Sequence, residues 1–174
     1  YRVESYDISN TNGVDTVGAM VVFENLKPVK KAYRRFKIKT VDGPDDYGAL
    51  QEMLYRRLKR AQAGDPGFAT LPDLILMDGG IGQVTSAEKV LNAMGAEIPV
   101  LGMAKDDSHR TRALVNGRGD EFALSGDPVL FRLNNEMNTD WTSYCGMVNM
   151  IDPDIFIETW VRLYKIFEEE GVDN

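Results

Sequence analysis

Residues 73–83 read DLILMDGGIGQ. Leu74 to Met77 are unbroken apolar residues, and they end on Asp78, with Gly79 and Gly80 next. An apolar run this short, closed by a polar residue and glycines, reads as a strand buried on both faces, the kind found in parallel sheets. Such a strand delivers Asp78 to the edge of the sheet. The glycines let the chain turn sharply there and let another molecule approach closely. Asp78 is then part of a phosphate-binding loop or one carboxylate of a catalytic site. The loop alternative is weak, because GGIGQ has neither the Lys-Ser/Thr pair of a P-loop nor GxGxxG spacing. The plainest alternative is structural: an aspartate after a strand most often shapes a turn or caps a helix.

The flanking chain supplies the setting. Residues 1–8 (YRVESYDI) alternate like a strand ending near Asp7, 9–15 are turn-rich, and 16–24 (TVGAMVVFE) form a second strand. After a turn over 25–28, residues 29–40 (VKKAYRRFKIKT) read as a third strand with basic residues outward. Short turns between these strands imply an antiparallel meander. Gly43–Pro44–Asp45–Asp46 opens a helix, with Asp45 or Asp46 as its cap. Tyr47, Leu50, Leu54 and Leu58 give that helix an apolar face to about Ala63. A loop over 64–72, the strand 73–77, a helix from Val84 to Met94 and a strand over 98–103 follow. Then come a polar loop over 105–112 and a hairpin around Asn116–Gly117. A helix from Pro128 toward Trp141 and an amphipathic helix from Pro153 to Glu170 complete the chain.

Three antiparallel strands followed by βαβ units predict an α/β fold: a ribonuclease-H-like mixed sheet flanked by helices. A dinucleotide-binding fold would begin βαβ, with its glycine turn after the first strand. In the mixed sheet the first and fourth strands are neighbours, so Asp7 meets Asp78. Two adjacent carboxylates repel unless a cation lies between them. Mg²⁺ or Mn²⁺, which take hard oxygen ligands, answer that need. Two such ions about 3.5–4 Å apart activate water and stabilise the leaving oxygen in phosphodiester hydrolysis.

The bulk composition agrees with a globular domain. The chain has 174 residues, 43% hydrophobic and 27% charged, enough for one core with a short appendage. No apolar run is long enough to span a membrane, and no signal peptide is visible. The strand-like start at Tyr1 reads as a piece of a longer protein. Cys145 is the single cysteine and His109 the single histidine, so a disulfide framework, a cysteine zinc cluster and a two-imidazole mechanism are excluded for this chain. A reducing, cytoplasmic setting follows. The net charge of −7 is unevenly spread: Lys27, Lys30, Lys31, Arg34, Arg35, Lys37 and Lys39 occur without an acid between them. Arg56, Arg57, Lys59 and Arg60 form a second basic cluster, and 152–174 are acidic. A polyanion responds to such local potential rather than to net charge.

Three ordered strings match a known family. YDISNTNGVDTVGAMVVFENLKPVKKAYRRFKIKTVDGPDDYGAL, LPDLILMDGGIGQ and VLGMAKDDSHRTRAL resemble the C-terminal nuclease domain of the UvrC excision-repair endonucleases. The resemblance runs from about Arg2 to Leu133. It implies a ribonuclease-H-like domain at 1–140 that makes the metal-dependent incision 5′ to a lesion in bacterial nucleotide excision repair, part of the SOS response. It also implies damaged double-stranded DNA as substrate, UvrA and UvrB as partners, and Mg²⁺ or Mn²⁺ as cofactor. The family makes its 3′ incision with a separate N-terminal domain. The family's two catalytic aspartates fall on Asp7 (DIS) and Asp78 (DGG). Its histidine lies in a DEAHR-like motif whose nearest match here is Asn135–Glu136–Met137–Asn138–Thr139, so Asn138 stands at the histidine position. Residues 141–174 are an acidic extension without the helix-hairpin-helix tail expected of the family.

The departure at Asn138 has a chemical consequence. An amide offers a carbonyl oxygen to a metal but has no pKa near neutrality, so it cannot act as general acid or base. Glu136 is an alternative metal ligand there, and Asp140 is one helical turn away on the same face. The candidate DNA contacts are Arg34, Arg35, Lys37 and Lys39 on the basic strand. Lys105, His109, Arg110 and Arg112 in or beside KDDSHRTR complete the set. The plain alternative for both groups is a solvated surface. Arg56, Arg57 and Arg60 likewise read as the wet side of a helix.

Overall fold

The computed structural model describes residues 1–11, 15–25, 27–41, 45–106 and 111–123. Expectations for His109, Arg110, Glu136, Asn138, Asp140 and the helices from Pro128 and Pro153 fall outside these residues. The strands are β1 (Arg2–Thr11), β2 (Asp15–Glu24), β3 (Lys27–Pro28), β4 (Arg34–Lys37), β5 (Leu74–Met77), β6 (Val100–Lys105), β7 (Thr111–Val115) and β8 (Glu121–Ala123). The helices are α1 (Asp46–Gln62) and α2 (Ile81–Met94). One mixed sheet runs β3-β2-β1-β5-β6-β7-β8, with β4 paired to β2 on the same side as β3. β1 is antiparallel to β2 and parallel to β5, in the register Val3↔Leu74 to Tyr6↔Met77. β6 continues in parallel, and the β7–β8 hairpin closes the far edge.

Several boundaries differ from the sequence expectation. The strand expected over 29–40 is shortened to β4 behind a 3-10 turn at Lys30–Ala32, and β3 falls in the turn expected over 25–28. Val29 continues the β3 register by donating to the Val22 carbonyl, and the turn after it brings β4 back to β2 in a shifted register. β1 passes Asp7 and reaches Thr11, because β2 pairs with it along its whole length. Asp7 therefore lies inside a strand and not at its end. α2 begins at Ile81, three residues ahead of Val84. The expected cap of α1 is present: Asp45 accepts a hydrogen bond from the Gly48 amide.

Both helices cover one face of the sheet. That face buries Tyr6, Met20, Val22, Phe36, Ile75 and Met77 against Leu50, Met53, Leu54 and Leu58 of α1 and Val84 and Leu91 of α2. Strand alternation sends Val3, Val21, Phe23, Leu74, Leu76, Leu101, Met103 and Leu114 to the opposite face, where they form a second cluster.

α1 is fastened by a buried charge network that the sequence reading missed. Arg57 is 1% exposed, not on the wet side of the helix as expected. It donates to both carboxylate oxygens of Glu4 at 2.9 and 2.8 Å. It also donates to the carbonyls of Phe68 and Thr70 at 2.8 and 2.6 Å. Arg2 and the Tyr6 hydroxyl complete the partners of Glu4. Burial and the Glu4 carboxylate push the Tyr6 phenol well above its usual range. One ion pair thus joins β1, α1 and the loop after α1. Tyr47 also departs from expectation. It is 49% exposed and lies over Gly82 at the start of α2, where any Cβ would strike its ring.

Arg57→Met should lower the unfolding free energy by about 3–5 kcal/mol, since it leaves a buried carboxylate short of its main partner. Urea denaturation checks this. Glu4→Gln in the same chain should recover part of the loss, because the orphaned charge is then gone.

Candidate active site

The parallel pairing of β1 and β5 builds the site. The Asp78 amide donates to the Tyr6 carbonyl at 3.1 Å, one ladder step past Met77, so Asp78 leaves β5 beside Asp7. Asp7 shares strand parity with Val3 and projects from the face opposite α1 and α2. The turn after Asp78 sits directly on β6: a Cβ on Gly102 would run into the Gly79 carbonyl. That close approach requires glycine at 102 and fixes the height at which Asp78 emerges.

Lys105 completes the described cluster. The β6–β7 pairing slips by one residue between Ala104 and Lys105, and such irregularities re-aim side chains near sites. Lys105 Nζ lies 2.7 Å from Asp78 Oδ1. Asp78 thus has a cation of its own. Asp7 does not share it equally, and its carboxyl is pushed up to about 7. Burial is the largest cause and the Asp78 charge the second; Lys105 and the Ile8 amide pull the other way, and Asp46 in the first turn of α1 adds to the rise.

This donor set fits a hard divalent cation. Two partly buried carboxylates stand side by side, and burial with the Asp78 charge pushes the Asp7 carboxyl up to about 7; oxygen donors of this kind suit a hard cation. Among the described residues no group of three His, Cys, Asp or Glu side chains is gathered for a metal. Asn138 and Glu136, expected beside Asp7 and Asp78, fall outside those residues.

The expected DNA-contacting cations are in different situations. Arg34 donates to the carbonyls of Lys31, Tyr33 and Gly67 at 2.7, 2.8 and 3.3 Å. Its guanidinium lies 5.3 Å from the centre of the Phe68 ring, on the helix-covered side. Arg35, Lys37 and Lys39 are exposed. The Lys39 amide, with that of Thr40, binds Glu52. Arg112 makes a two-pronged bond to Glu121 at 2.6 and 2.8 Å. Lys105 faces Asp78. The pairing of Lys105 with Asp78 was invisible in the sequence, where it reads as one more loop cation.

The raised Asp7 carboxyl has a pH signature in metal-free protein. Its folded pKa exceeds the ordinary 3.8, so its contribution to stability is full below about pH 4 and is lost as pH rises through about 7. Asp7→Asn should therefore be more thermostable than the parent at pH 8, by up to ~4 kcal/mol for three pH units. The gain should shrink between pH 7 and 4 and vanish below. Melting curves in chelator across that range check this.

The sequence pattern described as the UvrC RNase H endonuclease domain matches residues 1–139. UvrABC system protein C of Alkaliphilus oremlandii is 51% identical over 145 residues, covering 76% of this chain and 23% of the relative. Its counterpart in Alkaliphilus metalliredigens is 53% identical over 152 residues, covering 80% and 24%. The chain thus spans about a quarter of the length of these curated relatives. Ciona intestinalis Endonuclease V in complex with a 24mer DNA overlaps more loosely, with a TM-score of 0.43 at 18% identity over 61% of this chain and 47% of that one. The match over residues 1–139, together with relatives near 50% identity, is decisive: this chain belongs to the UvrC RNase H endonuclease domain family.

Proposed function

We propose that this domain is a divalent-metal-dependent DNA endonuclease that makes the 5′ incision beside a lesion in nucleotide excision repair. The observation that carries it is the carboxylate pair formed by Asp7, inside β1, and Asp78, just after β5, with Asp7 pushed up to about 7. Family membership supports the rest: residues 1–140 as the nuclease unit, UvrB and UvrA as partners, damaged duplex as substrate and a bacterial cytoplasmic setting. Among the described residues no helix is long and apolar enough to cross a membrane.

Asp7 and Asp78 would hold Mg²⁺ or Mn²⁺ through oxygens, with Glu136 as a further ligand. The bound cation supplies an activated water and charge stabilisation at the leaving oxygen. Asp78 is paired with Lys105. Asp7 gives up its residual proton when a cation neutralises the pair. Lys105 is near enough to meet the charge of an incoming phosphate as well.

A second reading rests on one residue. Asn138 cannot move a proton, so a chain that needs an imidazole at that position would bind DNA or repair partners and cut poorly.

Cleavage of a lesion-bearing or gapped duplex separates the two. The proposal expects Mg²⁺- or Mn²⁺-dependent cutting, which Asp7→Ala or Asp78→Ala reduces by roughly two orders of magnitude or more, the equivalent of several kcal/mol of lost charge stabilisation. The second reading expects little cutting from the parent and a roughly 10²–10⁴-fold gain on Asn138→His, the usual worth of general acid–base catalysis. A chain that neither cuts nor binds DNA contradicts both.

A further inference from the structure

The basic run on β4 was expected to act as one DNA-binding strip. The fold divides it. Phe36 and Ile38 enter the core beneath α1, so strand alternation turns Arg35 and Lys37 to the opposite face, and exposed Lys39 follows two residues past the end of β4. The ladder confirms this parity. Phe36 pairs with Gly18, where a Cβ would strike Met53 of α1. Arg35 pairs with Ala19 and Lys37 with Val17. Ala19 and Val17 in turn pair with Asp7 and Ser9. Directly opposed residues in a sheet share a face. Arg35, Ala19 and Asp7 therefore form one transverse row on the face opposite the helices. Arg34 has the other parity and is engaged with the loop around Phe68.

The spacing suits a nucleic-acid backbone. Arg35 stands two strand spacings, about 10 Å, from Asp7 along that row. Lys37 and Lys39 follow at steps of about 7 Å along the edge. Charges of one DNA strand recur about every 3.4 Å along the duplex axis, so cations about 7 Å apart each have a phosphate within reach. Between Arg35 and Asp7, Ala19 is buried, while Val17 and Ser9 toward the Lys37 side are half-buried. Nothing in this row needs base edges, and exposed Arg and Lys at regular intervals are what a phosphate backbone binds without regard to sequence.

We propose that Arg35, Lys37 and Lys39 form a phosphate track on the Asp7–Asp78 face, holding the DNA strand within a few nucleotides of the scissile bond, and that Arg34 takes no part in it. This inference rests on the nuclease reading of the carboxylate pair and adds the path of the substrate.

The test is DNA binding by the 174-residue chain in Ca²⁺ or chelator, with an undamaged duplex as probe, as a function of salt. Each phosphate contact contributes about 0.9 to the slope of log K against log salt. Arg35→Gln, Lys37→Gln and Lys39→Gln combined should lower that slope by about 2.7, with an unchanged melting temperature. Arg34→Met should lower the melting temperature and leave the slope unchanged. Arg35→Glu alone is the second probe, and it should weaken binding more than Arg35→Gln does. If the parent binds and cuts DNA but the triple variant keeps its slope, the track is wrong and the nuclease reading stands. If Arg34→Met lowers the slope as much as the others, the division of the strip is wrong. If the parent neither binds nor cuts, the nuclease reading fails and the track with it.

Discussion

The parallel pairing of β1 with β5 forces two carboxylates together. Asp78 is held beside Asp7 by a backbone hydrogen bond to Tyr6, so the pair cannot separate without loosening the end of the β1–β5 ladder. Each partly buried charge raises the cost of the other. Lys105 relieves Asp78 and leaves Asp7 about half protonated near neutrality. A fold that keeps such a pair carries a standing demand for cations. A divalent ion and a cation-lined path for a polyanion are two answers to the same demand.

The rest of the structure supplies the rigidity this needs. Glu4, three residues before Asp7 on the same strand, is clamped by Arg57 on α1, and Arg57 also gathers the carbonyls of the loop after α1. β1 is thus tied on its helix side by one ion pair while its other side carries the site. Buried ion pairs add little net stability over an apolar core, yet removing one partner is costly. This one fixes how α1 lies on β1, and α1 carries Asp46 and Tyr47 to the carboxylate edge. Glu52 does related work nearby. Burial alone would raise its carboxyl, but bonds from the Lys39 and Thr40 amides, the Thr40 hydroxyl and Arg56 outweigh that and bring it down to about 2. It secures the passage from β4 into α1.

Much of this was readable from local signals. The apolar run before Asp78, the turn-separated strands before it and the Asp45 cap each depend on neighbours a few residues apart. The helical stripe of α1 held a further clue. Arg57 lies three residues after Leu54 and seven after Leu50, inside the apolar stripe, and an arginine there has to find a buried partner. Glu4 could not be recognised as that partner, because the contact joins residues 53 positions apart. The Lys105–Asp78 pair depends on a slip in the β6–β7 register, which no local pattern announces. Pro28 reads as the end of a turn over 25–28, but the further turn at Lys30–Ala32 carries no glycine or proline to mark it. Arg34, Arg35 and Lys37 look alike in sequence, and only the assignment of sheet faces separates them.

The central claim is that Asp7 and Asp78 share a divalent cation. Calorimetric titration of Mn²⁺ into the metal-free chain at pH 7, in buffers of different ionisation enthalpy, tests it most directly. Binding should release about half a proton per chain, because a carboxyl with a pKa of about 7 is half protonated there. The release should disappear in Asp7→Asn. Absence of Mn²⁺ binding at millimolar concentration, or binding that persists with Asp7 and Asp78 both replaced by Asn, would contradict the claim.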